Sequence, residues 1–474
     1  MTRLCERADA LAALAHKCLL AVVASEGFYL AIMLLFRGIL NADVFMTSNH
    51  IISPLLDYVI VPWSGAMLGI YLMREKKKGG LDIWALVLLI LWMIVPFVMR
   101  FGPEFFTLSS SLDYALIFFV FYASVRQSDA ARRARQLDIA CACICVISVA
   151  LAGTLLYCAA TGKTYFSYWD TQHFGVVNGQ LQHAMHYNST GMLALMCMMM
   201  CLVGLCRSAK KPYAVLYLIA VVMMGLVIVL TQSRTSRYCM LGALALGAWK
   251  GASEYLPIRR QLLRQTAAIA CALVVLAGSY KLCGWVTDAA LAHYAGAPSP
   301  VAEVIVPSAL AEDGTRRPVV MQARDQSVDA TFSDRTNIWK NVLRGWKNNP
   351  RHMLIGNGVG RTKWMVSQNT IHEDYGFASV HNAYLHFAAE FGWIGFGLLA
   401  VALGSVVPSA LRVFFAGGKK RMPGGFALCL VVLTALATGM MESATLEAMT
   451  PISMMMFFAL AHIQASGKEM KNEK

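Results

Sequence analysis

The strongest constraint on this chain is a recurrence. Runs of about 20 apolar residues, each long enough to cross a bilayer core as a helix, follow one another from end to end. A helix satisfies its own backbone, so such runs can leave water where a loop or an open sheet edge cannot. Composition agrees: 57% of the 474 residues are hydrophobic and only 14% charged, whereas soluble domains carry about 25% charge. No polar linker divides the runs. An all-α polytopic membrane protein is therefore expected. About twelve spans are predicted, near 17–40, 51–73, 82–99, 105–125, 137–161, 183–206, 213–231, 236–250, 265–287, 381–411, 424–442 and 446–464.

The connections between these spans alternate in charge. Of the 41 Lys and Arg, 25 fall in one set of short loops and the tail, 6 in the opposite loops and helix ends, and 10 in one long segment near 288–380. The positive-inside rule counts short loops and exempts long ones. Both termini are thus expected in the cytoplasm. The division that follows is helices one to nine over 1–287, a large extracytoplasmic loop with amphipathic helices over 288–380, and helices ten to twelve plus a cytoplasmic tail over 381–474. The basic excess points to membrane lipids and not to nucleic acid, with Arg126 through Arg135 expected to anchor on the anionic leaflet. The 13 Cys read as packing. Cys141, Cys143 and Cys145 point in different directions around a helix, and Cys197, Cys201 and Cys206 lie in a Met-rich apolar run.

Polar residues that burial should have removed carry the functional signal. They gather on the expected outer side in three places. Ser233-Arg234-Thr235-Ser236-Arg237 forms a tight turn between two spans, placing Arg234 and Arg237 on a boundary poor in cations. Arg335 opens an amphipathic helix in the long loop, with Ser333 or Asp334 as its N-cap and Trp339, Val342 and Trp346 as its apolar stripe. Pro350 and Gly356-Asn357-Gly358-Val359-Gly360-Arg361 follow, a stretch that reads as a plain loop because its spacing fits no phosphate-binding motif. The third place is His381-Asn382, with His386, Glu390 and Gly392 after it, where the chain re-enters the membrane. His372-Glu373-Asp374 and the pair His183 and His186, just before Asn188, match no standard metal spacing, so no metal is expected. Mid-membrane carboxylates are few, chiefly Glu26 and Asp57.

These three segments, in this order, resemble the O-antigen ligase and polymerase superfamily. The matching residues are Ser233-Arg234; Arg335 with Trp339, Pro350, Gly356, Gly358 and Gly360; and His381-Asn382 with Leu385, Glu390 and Gly392. The related region is expected over 183–400; 295–328 reads as an Ala/Pro-rich insertion outside the family pattern. The resemblance implies a membrane glycosyltransferase of polysaccharide biosynthesis, such as lipopolysaccharide assembly in the cell envelope. It would move glycan from an undecaprenyl-diphosphate carrier to an acceptor glycan, lipid or protein hydroxyl on the outer side of a bacterial cytoplasmic (inner) membrane. Arg234 and Arg335 would hold the diphosphate and His381 would be the base, with Arg237, Asn382, Glu390 and Asn188 in support. The reaction would be inverting and metal-independent, with no cofactor. A repeat-unit polymerase or a protein O-oligosaccharyltransferase would share these motifs, and an inactive envelope scaffold would share the hydropathy. A transporter or flippase of lipid-linked glycans is the alternative from another class, one that needs ionisable groups inside its helices.

Overall fold

The computed structural model describes residues 21, 24–39, 52–73, 80–98, 112–162, 164–166, 173–177, 180–183, 187–296, 329–359, 380–417, 422–447 and 450–472. The insertion over 297–328, the His372-Glu373-Asp374 cluster, His186, Gly360, Arg361 and the side chain of Asp57 lie outside the described residues.

The chain is mostly helical. In order come α1 (Glu26–Met33), which continues as a π-helical turn (Leu34–Ile39), α2 (Ile52–Met73), α3 (Leu81–Val98), a second π-helical segment (Ile117–Ser124) running into Val125–Gln127, and α4 (Ala130–Thr161). After a small sheet follow α5 (Tyr187–Arg207), α6 (Lys211–Leu230), α7 (Arg234–Tyr255) and α8 (Gln261–Gly296). The C-terminal part holds α9 (Asp329–Asn348), α10 (Pro350–Ile355), α11 (Ala383–Phe415), α12 (Gly425–Gly439) and α13 (Pro451–Asn472). Among the described residues, α4, α5, α6, α8 and α11 are long and apolar enough to cross a membrane, and Glu26–Phe36, Leu81–Pro96 and Gly425–Gly439 are shorter apolar helices. α5 is apolar all round and central, with Leu195, Met199 and Met200 fully buried. α8 sits outside it, exposing Leu273, Val274 and Trp285. Apolar patches of this extent suit lipid, not water.

Four sequence expectations are corrected. The fold is not purely α: β1 (Thr164–Phe166), β2 (His173–Val177) and β3 (Gln180–Gln182) form an antiparallel sheet in order β1-β2-β3, pairing Thr164 with Gly175 and Val176 with Leu181. Ser333 and Asp334 do not cap α9, which begins a turn earlier at Asp329. The last two spans are separated by more chain than expected, because α12 ends at Gly439 and α13 starts at Pro451. Lastly, Glu26 does not lie inside one continuous helix over 17–40 but opens a helix of its own. Ser25 caps α1 by accepting from Phe28 N, and Glu26 in its first turn pairs with Arg132 at 2.9 Å and accepts from Ser124 Oγ at 2.7 Å.

That pairing belongs to a pattern at one end of the bundle. Arg126 pairs with Asp82 at 2.7 Å, Arg133 with Glu469, Arg207 with Asp138 at 2.7 Å and Lys250 with Glu254 at 3.0 Å. Arg412 donates to Gly467 O at 3.2 Å. These residues come from the set of loops that holds most of the cations, and the fold gathers them together. Three of the four guanidiniums between Arg126 and Arg135 therefore clamp helices to one another, where the sequence reading had them lying on lipid.

Candidate functional site

The opposite end is built on the turn between α12 and α13. Residues 440–447 do not continue either helix, since their polar side chains have partners there. Thr445 Oγ1 donates to Ala435 O at 3.0 Å and Tyr114 Oη to Leu446 O at 2.7 Å. The turn presents Glu442, whose side chain is 9% exposed. Its Oε1 accepts from Arg335 Nη2 at 2.7 Å and from Asn188 Nδ2 at 3.0 Å, and its Oε2 lies 3.0 Å from His381 Nδ1. One carboxylate thus draws together residues from α5, α9 and the approach to α11. An ionised carboxylate can only accept, so Nδ1 carries the proton in this contact. Nε2 is the ring nitrogen turned away from this contact.

Each partner is placed by local structure. His381 sits at φ +50°, a conformation that a non-glycine residue adopts only when its surroundings hold it there. Asn382 supplies that hold. It caps α11 by accepting from Leu385 N at 2.9 Å, and its Nδ2 donates to Met440 O at 3.1 Å, beside Glu442. Arg335 is delivered by α9, whose stripe of Ile338, Val342 and Trp346 is buried against Val380, Ala388 and Ala389. Trp339 Nε1 donates to Val380 O at 3.0 Å, next to the histidine. Docking of the amphipathic helix against the membrane domain agrees with the sequence reading.

The Ser-Arg turn joins the site through α5. One turn after Asn188, roughly 4.5 Å along the axis, comes Gly191. A Cβ there would fall 2.8 Å from Ser233 Cβ and 2.9 Å from Ser236 Oγ, so only glycine lets the turn approach. Thr231, Gln232, Ser233 and Ser236 are all buried, and Gln232 is at φ +52°. Among the described residues, Gln232 and His381 are the two non-glycine positions with positive φ. Gln232 immediately precedes the Ser-Arg turn, and His381 opens the third segment singled out in the sequence. Ser233 is the N-cap residue of α7, which puts half-buried Arg234 in the first helical position.

Not every candidate is brought to Glu442. Arg237 lies over the Tyr280 ring of α8, 5.6 Å from its centroid. Glu390 pairs with His386 at 3.3 Å, and His386 lies 3.9 Å from Glu447. These three form a separate group, with His386 and Glu390 buried and Glu447 half-buried. The glycine stretch has a purpose that its spacing did not reveal. α11 is broken at Gly392, at φ +66°, which frees the carbonyls of the preceding turn. Asn357 N donates to Ala389 O and Gly358 N to Glu390 O, both at 2.9 Å, and Trp92 Nε1 reaches Phe391 O at 2.8 Å. Side chains at Gly356 or Gly392 would run into the carbonyls of Glu390 and Leu354 respectively. These amides seat α10 on the kink and have no capacity left to cradle a phosphate.

Sequence reasoning missed Glu442 altogether. The usable signal was two carboxylates, Glu442 and Glu447, between the last two apolar runs on the expected outer side. Among the described residues, no group of three or more His, Cys, Asp or Glu has a metal-binding arrangement.

Residues 184–400 match the family model described as O-antigen ligase, against 183–400 from the motifs. No curated protein matches the chain.

Proposed function

With the O-antigen ligase domain running from residue 184 to residue 400 of this membrane protein, we propose that it transfers glycan from undecaprenyl diphosphate to an acceptor hydroxyl outside the cytoplasmic membrane. The observation that supports this most is the convergence of Arg335, His381 and Asn188 on Glu442, beside the turn that carries Arg234. In the proposed step the acceptor oxygen attacks the anomeric carbon of the sugar. Its proton passes to Nε2 of His381, the glycosidic bond to the diphosphate breaks, and the configuration inverts. Glu442 keeps His381 in the required tautomer and stabilises the imidazolium that forms.

The leaving diphosphate takes up negative charge as that bond breaks, and preorganised cations stabilise it. Glu442 engages one terminal nitrogen of Arg335, and a guanidinium has five N–H donors in a fork that fits phosphate. Arg234, at the positive end of α7, is suited to the second phosphate. Arg237 serves as a support that steadies α7 on α8, Asn382 holds the backbone at the start of α11, and Glu390 pairs with His386. Within this chemistry the acceptor is a lipid, a glycan end or a protein hydroxyl. The transporter alternative loses its best residue, since Glu26 is tied to Arg132 at a helix end.

The test is His381→Ala in the native membrane. The variant should insert normally and lose about 10²- to 10⁴-fold in transfer rate. Lipid-linked glycan should accumulate where an external lectin reaches it. Wild-type transfer at normal expression removes His381 as the base. Glycan trapped on the inner leaflet instead supports a transporter.

A further inference from the structure

The helix that carries Arg335 has a surface that the transfer step does not use. From Arg335 to its end at Asn348 it holds four Arg or Lys and no Asp or Glu. At roughly 100° per residue, Lys340, Arg344 and Lys347 form a ridge on the side away from buried Ile338, Val342 and Gly345, and all three cations are exposed. The two flanks of that ridge differ. One carries half-buried Trp339 and Leu343, the latter 55% exposed, while the other carries Asn337, Asn341 and Asn348. The apolar flank continues past α9. The Trp346 ring lies 5.8 Å from that of Trp393, and Trp393, Ile394 and Leu354 are exposed. Trp393 and Ile394 belong to α11, a helix long and apolar enough to cross the membrane.

An apolar flank, a cationic ridge and an amide flank on one helix suit a segment lying in the plane of a membrane surface. We propose that α9 and α10 rest on anionic lipid headgroups. Leu343, Leu354, Trp393 and Ile394 enter the acyl boundary, and Lys340, Arg344 and Lys347 meet lipid phosphates. The bilayer is the occupant because the apolar flank runs directly into a membrane-crossing helix. The ridge also has the sign that anionic headgroups attract. Arg335 and Trp339 lie on the same helix, so the charge of the membrane sets how firmly Arg335 is seated beside Glu442. The inference rests on the membrane reading and not on the transfer reading.

Hydrogen exchange of the full-length protein in lipid nanodiscs tests it without an activity assay. Amides of residues 338–348 should exchange more slowly in discs containing phosphatidylglycerol than in phosphatidylcholine alone, by about fivefold for each engaged cation. The triple variant Lys340→Gln, Arg344→Gln, Lys347→Gln should abolish the difference. Lys347→Gln alone should reduce it by about fivefold, which keeps the proposal open to failure if the triple variant does not assemble. Equal exchange in the two discs, or a difference that survives these substitutions, overturns the proposal. A third arm adds inorganic phosphate to phosphatidylcholine discs, matched in ionic strength with chloride. Slowing there would assign the ridge to a soluble phosphate-bearing ligand and overturn the lipid assignment.

Discussion

The two ends of the bundle treat charge in opposite ways. At one, Arg126, Arg132, Arg133 and Arg207 each meet a carboxylate of their own on a neighbouring helix. At the other, Arg335, His381 and Asn188 share the one carboxylate of Glu442. One-to-one pairing leaves nothing over, so it fastens helices and attracts no ligand. A shared carboxylate leaves donors in excess, and an excess of donors on a partly exposed surface is what an anion can use. Arginine count alone would have ranked the two ends the wrong way round.

The comparison predicts that substitutions at the shared carboxylate reduce turnover and that those at the clamps reduce stability. The largest effect is expected for Glu442→Gln, which keeps the shape but neither sets the histidine tautomer nor stabilises its imidazolium. Transfer should fall by about 10²- to 10⁴-fold, while the melting temperature in detergent changes little. A large melting shift with normal transfer would make Glu442 another clamp. Next comes Arg132→Gln, which strands buried Glu26. About 2–4 kcal/mol of stability should be lost, discounted because Arg132 is partly solvated. Transfer per folded molecule should stay at the wild-type level, and a fall in it would erase the distinction between the ends. Arg335→Lys keeps the charge but not the fork. It should cost about 1–3 kcal/mol in the transition state, roughly tenfold or somewhat more in rate. The smallest effect is expected for Arg135→Gln, an exposed cation beside the clamps. Both readouts should stay within about 0.5 kcal/mol of wild type.

Much of this division was legible in the sequence, and the rest was hidden for identifiable reasons. Apolar length gave α6 and α11 to within a few residues, because span length is set by the bilayer and not by tertiary context. Val342 and Trp346 of the expected stripe announced the buried face of α9, while Ile338 is buried where the stripe had Trp339, which lies half-buried at its edge. Glu442 was hidden because it closed an apolar run and was read as its boundary, where a carboxylate carries no periodic signal. Glu26 was misplaced for the complementary reason: Ser25 interrupts the helix inside what reads as one continuous apolar run. Gly356 and Gly392 were visible as motif residues, but their job is mutual contact across 36 positions. No local spacing encodes that.

The staple at the Gly392 kink also bears on how the protein can change. Two stretches of backbone beside the site are pinned. One is held where Asn357 and Gly358 bond to α11, and the other where Trp339 bonds to Val380 O. Arg335 and His381 are thus held in relation to each other by packed helices and not by the chain that joins them. The spacing of Arg335 and His381 should therefore survive any change that leaves these packed contacts intact.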